Sequence, residues 1–366
     1  MTKRERVLSI LRGDTPDKLP WFGDLAYWIG YLHGSNNYPE KYRGEDGVFR
    51  MHDDLGIGFY LQGFSPFTMH YENVDVKVDE SGDFRTTRYI TPVGTLTECW
   101  KYIKSTFSSA PVEHLVKDAS DLPALRYLYE HTHFEPDYGR IAKYREFSGD
   151  NGVTLCYTPR TPFMELTAIK AGIETVTYCI ADDEDEFQAT MDVMGTSFDK
   201  AAEVTVASDC ECVMIGENLS SEAVGKKFYH QYIEHHHKKW TAKIKESGKY
   251  SFIHMDGTLK GLISEVSNAG FLVLEALTPA PVGDLAIEDF ISSASEDVIF
   301  WGGLPGAYFS DSFSDEQFDT LVIGIIEYMI KSNRFVLGVA DQIPPYTRPE
   351  RIKRVNELVE EHGVYR

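Results

Sequence analysis

Few cysteines, no long apolar run and a shortage of positive charge set the first limits on this chain. Five cysteines, at 99, 156, 179, 210 and 212, are an odd number without zinc-finger spacing. That excludes a disulfide-stapled scaffold and suits a reducing compartment. Cys210 and Cys212, the one close pair, stand at the start of an apparent strand and read as buried structural thiols rather than a metal or redox pair. The longest apolar run, "TLVIGIIEYMI" at 320–330, is too short to cross a bilayer and reads as a packed helix. Met1-Thr2-Lys3-Arg4 leads into an amphipathic helix rather than an apolar signal core, so a cytoplasmic protein with no membrane association is expected. With 36 basic against 57 acidic side chains the net charge is −21, which argues against nucleic acid as a partner and leaves small molecules and proteins. Fixed-period repeats, low-complexity tracts and linkers are also missing. The 366 residues are therefore expected to form a single domain, 1–366.

What is there is a series of short apolar runs alternating with amphipathic stretches. Candidate strands are "PWFG" (20–23), "IGFYLQ" (57–62), "GVTLCY" (152–157), "CVMIG" (212–216), "YSFIH" (250–254), "FLVLE" (271–275), "DVIFWGG" (297–303) and "RFVLGVA" (334–340). Many are apolar on both faces, as in a parallel sheet covered by helices. Eight of them suggest closure into a (β/α)8 TIM-type barrel, an α/β fold. Thr2-x-x-Glu5 is a capping box that predicts a short N-terminal helix ending near Gly13, and Thr347 to Glu350 predicts a second box at the start of the last helix. The pattern breaks at "VDVKVDESGDFRTTRYI", which alternates, turns at Ser81-Gly82-Asp83 and alternates again. It reads as a β-hairpin insertion, with the polar, irregular "YLYEHTHFEPDYGR" (127–140) in the same excursion at about 70–145. Such insertions usually lie over the mouth of a barrel.

Several strands end in an acid or a histidine: Asp24, Glu217, His254 with Asp256, Glu275 and Asp341. In an α/β barrel these ends converge on one mouth, where the chemistry is placed. His254 and Asp256, two apart on an extended strand, point the same way. With Glu275 and Asp341 they are the expected metal ligands, zinc first, although an oxygen-rich shell also accepts Mn²⁺, Fe²⁺ or Mg²⁺. Carboxylates crowded together without a cation would raise one another's pKa values. Glu217 is the candidate catalytic residue, with a structural hydrogen bond as its alternative. Asp24, Tyr27, Trp28 and Trp301 are candidate substrate-binding walls, with simple packing as theirs. "HHHKK" (235–239) fans its histidines round a helix and reads as a solvated face.

The opening "KRERVLSILRGDTPDKLPWFGD", the hairpin end "TPVGTL", "GENLSS", "IHMDG" and the closing "DQIPPYTRPERIKRVNELVEEHG" together resemble the uroporphyrinogen decarboxylase superfamily over nearly the whole chain. The resemblance implies a distorted (β/α)8 barrel. True uroporphyrinogen decarboxylases carry an arginine-bearing segment at the first strand that grips substrate propionates, whereas "LPWFGDLAYWIGYL" has none. The corrinoid-dependent methyltransferase branch shows His-x-Cys at the fifth strand, in some cases Glu on the sixth, and Cys after the last. His254 and Glu275 match, and Asp256 and Asp341 stand where the cysteines would be. A carboxylate-rich site makes a harder Lewis acid, suited to holding an oxygen rather than activating a thiol.

The resemblance therefore implies an O-demethylating methyltransferase that moves a methyl group from a small methoxylated substrate, favourably a phenyl methyl ether, to Co(I). No corrinoid-binding motif is present, so the cobalamin would arrive on a separate corrinoid carrier protein. A related decarboxylase, a methylcorrinoid:thiol methyltransferase and a non-catalytic binding protein are the alternatives, and homodimerisation is left open.

Overall fold

The computed structural model describes residues 1–60 and 63–366. Six strands lie side by side, all parallel, in chain order: Leu155–Thr158, Cys212–Ile215, Tyr250–His254, Val273–Leu277, Ile299–Pro305 and Phe335–Ala340. The first of these is preceded by Gly152–Val153, which pairs in parallel with Phe59–Tyr60. Residues 21–24 close the ring through bridges, Trp21 to Leu337 and Asp24 to Gln342 on one side and Phe22 to Gly58 on the other. This is the expected eight-stranded TIM-type barrel. Its first strand is reduced to bridges because Pro20 brings no N–H and Gly23 no side chain to pack. The second strand is short, and Leu61 and Gln62, the end of the expected 57–62 strand, lie outside the described residues.

Alternation sends every second side chain inward. Phe22, Tyr60, Leu155, Met214, Phe252, Val273, Trp301 and Val336 fill the barrel interior, and Val7, Ile10 and Leu11 of the N-terminal helix pack with them. That helix, Lys3–Leu11, carries the predicted Thr2–Glu5 capping box. Arg4 donates to the Gly152 carbonyl at 2.8 Å, where the third strand begins. The helix thus covers the end at which the strands start and leaves the opposite end as the mouth.

The insertion is larger than one hairpin. Asp75–Ser81, Phe84–Thr91, Gly94–Ile103 and Ser108–Glu113 form a four-stranded antiparallel sheet, with Gly82 (φ 62°) in the predicted turn. The segment expected to be irregular holds a helix, Leu122–Glu130, and a strand, Thr132–Pro136, that pairs with Phe67–Tyr71. A strand whose partner lies some sixty residues away leaves no local signature. The last helix, Pro349–His362, begins on Arg348 without a side-chain cap. Thr347 donates instead to the Pro344 carbonyl, 2.8 Å away. The second true capping box is Ser314 with Gln317, which starts the helix Asp315–Met329 that contains most of the apolar 320–330 run.

Candidate active site

His254 is the last residue of the fifth strand and Glu275 stands opposite it on the sixth, in register. Both follow inward-facing residues by two, Phe252 and Val273, so both point into the barrel at its mouth. The sixth strand is irregular just there, its register shifting between Leu274 and Leu277, and Ala276 takes φ 64°. A bulge of this kind re-aims a side chain beside a site. The outcome is a contact of 2.7 Å from His254 Nδ1 to Glu275 Oε2, while Tyr60 donates to Glu275 Oε1 at 2.8 Å. An ionised carboxylate only accepts, so Nδ1 carries the proton of that bond and Nε2 faces the mouth.

Asp341 Oδ1 lies 3.7 Å from His254 Nε2. Asp341 is one residue past the end of the eighth strand and holds φ 70°. Its side chain is 51% exposed at the rim. Asp24, at the end of the first strand, is 6% exposed and accepts from the Ala26 N–H at 2.7 Å. Asp256 lies two residues beyond the strand end, where alternation no longer orients it, yet its charge acts on both His254 and Asp341.

The electrostatics follow from burying one imidazole among these acids. Burial by itself would lower the His254 pKa. Glu275, through its charge and hydrogen bond, and then Asp256 and Asp341 outweigh it, and the value is pushed up to about 9. Burial raises Asp24 to about 7, with Asp341 and Glu275 adding to the rise and the Ala26 N–H and His254 opposing it. Asp341 is raised by desolvation in the concave mouth, against the pull of His254.

These groups face a cavity of about 820 Å³, lined by Asp24, Tyr27, Tyr157, Arg160, His254 and Asp341 among others. Ser108 and Ser109 of the inserted sheet also line it, so the insertion does overhang the mouth. Gly216, which follows the fourth strand, lines the cavity too, and a side chain there would meet the Tyr157 ring at 2.6 Å.

Of the predicted site residues, His254, Glu275, Asp341 and Asp24 come together, with Asp256 close by in charge. Tyr27 lines the cavity. Three do not reach it. Trp301 is fully buried in the barrel interior against Phe22, Tyr60 and Phe252, with centroids 4.8–5.5 Å apart, because position 301 is mid-strand and not at its end. Trp28 is buried in the layer outside the barrel and donates to the Thr347 carbonyl at 3.0 Å.

Glu217 turns away from the mouth and is fully buried. It receives the Thr161 N–H at 3.1 Å and pairs with His237 Nε2 at 2.8 Å. Both contacts are structural hydrogen bonds, the alternative to a catalytic place. His236 and His237 of the "HHHKK" segment are accordingly buried and not solvated. Arg160, from the "YTPRTPFMEL" segment, is the residue that sequence reasoning missed. Its place just after the third strand was the available signal.

The four expected ligands do not close into one set. Glu275 has both oxygens engaged behind His254, and among the described residues no three His, Cys, Asp or Glu side chains form a group able to hold a metal. His254 Nε2 and Asp341 are the pair that a cation would meet.

Comparison with known proteins agrees with the architecture. Residues 140–362, well over half of the chain, match the family described as uroporphyrinogen decarboxylase (URO-D). A methyltransferase from Methanosarcina mazei superposes over 99% of both chains with a TM-score of 0.64 at 13% identity, a likeness of fold. A pneumococcal exo-β-D-N-acetylglucosaminidase is a remote neighbour, with a TM-score of 0.33 at 12% identity over 61% of this chain and 62% of that one. No curated protein matches.

Proposed function

Because the chain belongs to the uroporphyrinogen decarboxylase family, we propose that it is a methyltransferase of that family, taking a methyl group from an oxygen-linked donor, preferably an aryl methyl ether, and passing it to a corrinoid on a partner protein. A reduced corrinoid supplies the nucleophilic cobalt that accepts the methyl group. The chain's own task concerns the oxygen left behind. When its bond to the methyl carbon breaks, that oxygen keeps the electron pair and needs a proton or a positive charge at hand.

The observation that carries this reading is the buried Glu275–His254 pair at the mouth. With its pKa pushed up to about 9, His254 is an imidazolium at neutral pH, its Nδ1–H on Glu275 and its Nε2–H toward the cavity. Transfer of the Nε2 proton to the departing oxygen leaves a neutral imidazole, still oriented by Glu275. Tyr60 holds Glu275 from behind and fixes the carboxylate plane. Asp341, 3.7 Å from Nε2, offers an acceptor through which the proton is restored from solvent.

A cation in place of the proton is the second reading. It is favoured by Glu275 itself, which stands where carboxylates commonly stand behind metal-bound imidazoles. His254 and Asp341 would hold the ion, with zinc expected, and it would act as a Lewis acid on the same oxygen.

The test is to mix the protein with cob(I)alamin and 4-methoxyphenol and follow the methyl-Co(III) spectrum. Formation is expected, slowed about 10²–10⁴-fold in His254→Ala, the usual contribution of a general acid. No spectral change with the native protein overturns methyl transfer. Elemental analysis of the same sample separates the two readings: active metal-free protein supports the proton, and stoichiometric zinc lost in Asp341→Ala supports the cation.

A further inference from the structure

Beside the mouth lies a second cavity of about 210 Å³, walled by Phe67 and Met69 of the insertion, Tyr129, Phe134, Met194 and Phe198. It is an annex of the first: Ser65, Pro159, Arg160 and Glu165 line both. Two buried polar atoms of its lining residues, Nε of Arg160 and Oγ of Ser197, lack hydrogen-bond partners among the described residues.

The charges around the neck are otherwise matched. Glu165 has Lys170 at 3.8 Å and the Tyr129 hydroxyl at 3.5 Å, and Asp341 has His254. Arg160 has no carboxylate within ion-pair distance among the described residues, and its Nη2 reaches only the neutral amide oxygen of Asn218, 3.3 Å away. A guanidinium left over at the neck of an aromatic chamber is a fork suited to a carboxylate. An apolar cavity of about 150 Å³ is enough for a benzene ring, so the annex has room for a single substituted ring.

We propose that the annex is a binding subsite for a small aromatic carboxylate, with the ring among Phe67, Tyr129, Phe134 and Phe198 and the carboxylate on Arg160. The inference rests on the methyl-transfer reading only where it takes this molecule to be the far part of the methyl donor. Binding itself does not depend on that reading.

Isothermal titration calorimetry of the whole protein with benzoate and with benzamide, similar in shape and different in charge, tests it. Benzoate is expected to bind at least about tenfold tighter. Arg160→Gln should abolish the difference and Arg160→Lys should restore part of it. Phe134→Ala should weaken both ligands and leave their ratio unchanged. Equal binding of the two by the native protein, binding of neither, or a preference that survives Arg160→Gln overturns the subsite. Arginine-dependent benzoate binding in a protein that never forms methyl-Co(III) supports the subsite and sinks only the methyl-transfer reading.

Discussion

Replacing Glu275 with glutamine tests the candidate site at its most buried point. Glutamine keeps the shape of the side chain and removes the charge. Its carbonyl can still accept from Tyr60, which donates to Oε1 at 2.8 Å. Its amide nitrogen then faces His254 Nδ1, which must become the acceptor, so the imidazole proton moves to Nε2. The imidazolium has also lost its counter-ion. Burial, the largest influence on His254, lowers its pKa and is now opposed by the smaller effects of Asp256 and Asp341 and by the charge of Asp24. The value should therefore fall from about 9 to 6.5 or below.

At 1.36 kcal/mol per pH unit, that change is worth roughly 3 kcal/mol of preference for the charged ring. An NMR pH titration of the imidazole resonances, assigned by subtraction of His254→Ala, reads it directly. A midpoint near 9 that persists in Glu275→Gln, or a native midpoint already near 6.5, would refute the reasoning.

The same shift has a stability consequence with a definite sign. A histidine whose folded pKa lies above 6.5 contributes stability that is fully present below 6.5 and is lost as pH rises through about 9. Asp24 acts in the same sense. Its folded value of about 7 lies above the ordinary 3.8, so its contribution is present below 3.8 and is lost as pH rises through 7. Thermal unfolding of the metal-free protein should show a declining midpoint from pH 6 to pH 10. Asp24→Asn should remove the part of the decline near pH 7, and Glu275→Gln the part near pH 9.

Three other substitutions separate scaffold from site. Glu217→Ala leaves His237 buried without the partner it holds at 2.8 Å, and should cost about 3–5 kcal/mol in urea unfolding; a loss below about 1 kcal/mol would show that Glu217 does not hold the scaffold. Trp301→Ala empties the centre of the barrel and should cost about 3–5 kcal/mol, while benzoate affinity of the folded protein stays unchanged; a selective loss of binding would return Trp301 to the substrate wall. Gly216→Ala puts a methyl group 2.6 Å from the Tyr157 ring. It should cost about 1–3 kcal/mol and crowd that ring in the mouth cavity that Tyr157 and Gly216 line, which the methyl-Co(III) assay would register as slower methyl transfer.

Much of the fold was legible because a barrel strand advertises itself locally. Runs such as "YSFIH" and "RFVLGVA" are short, rich in β-branched and aromatic residues, and bounded by turns, and they emerge as Tyr250–His254 and Phe335–Ala340. The insertion was less legible, since Thr132–Pro136 is a strand only by virtue of Phe67–Tyr71 beside it. Within the site, His254 and Glu275 could be found as polar ends of apolar runs. That Glu275 supports His254, with both oxygens engaged, depends on strand register, the local bulge and Tyr60.

Three misplacements have related causes. Trp301 was judged by residue type although its position is mid-strand. Glu217 was judged a strand end, yet the chain turns there toward Thr161 and His237. The histidine run reads as a solvated face because its members fan round a helix, yet its last member meets a buried glutamate. By itself the sequence determined the strand count, the barrel and that polar residues end several of its strands, because period and composition are properties of neighbouring residues. Only the tertiary structure decided which oxygen faces which nitrogen, that Glu275, Asp256 and Asp341 raise the pKa of His254, and that Arg160 is left over beside an aromatic chamber. Those depend on distances between elements far apart in the chain.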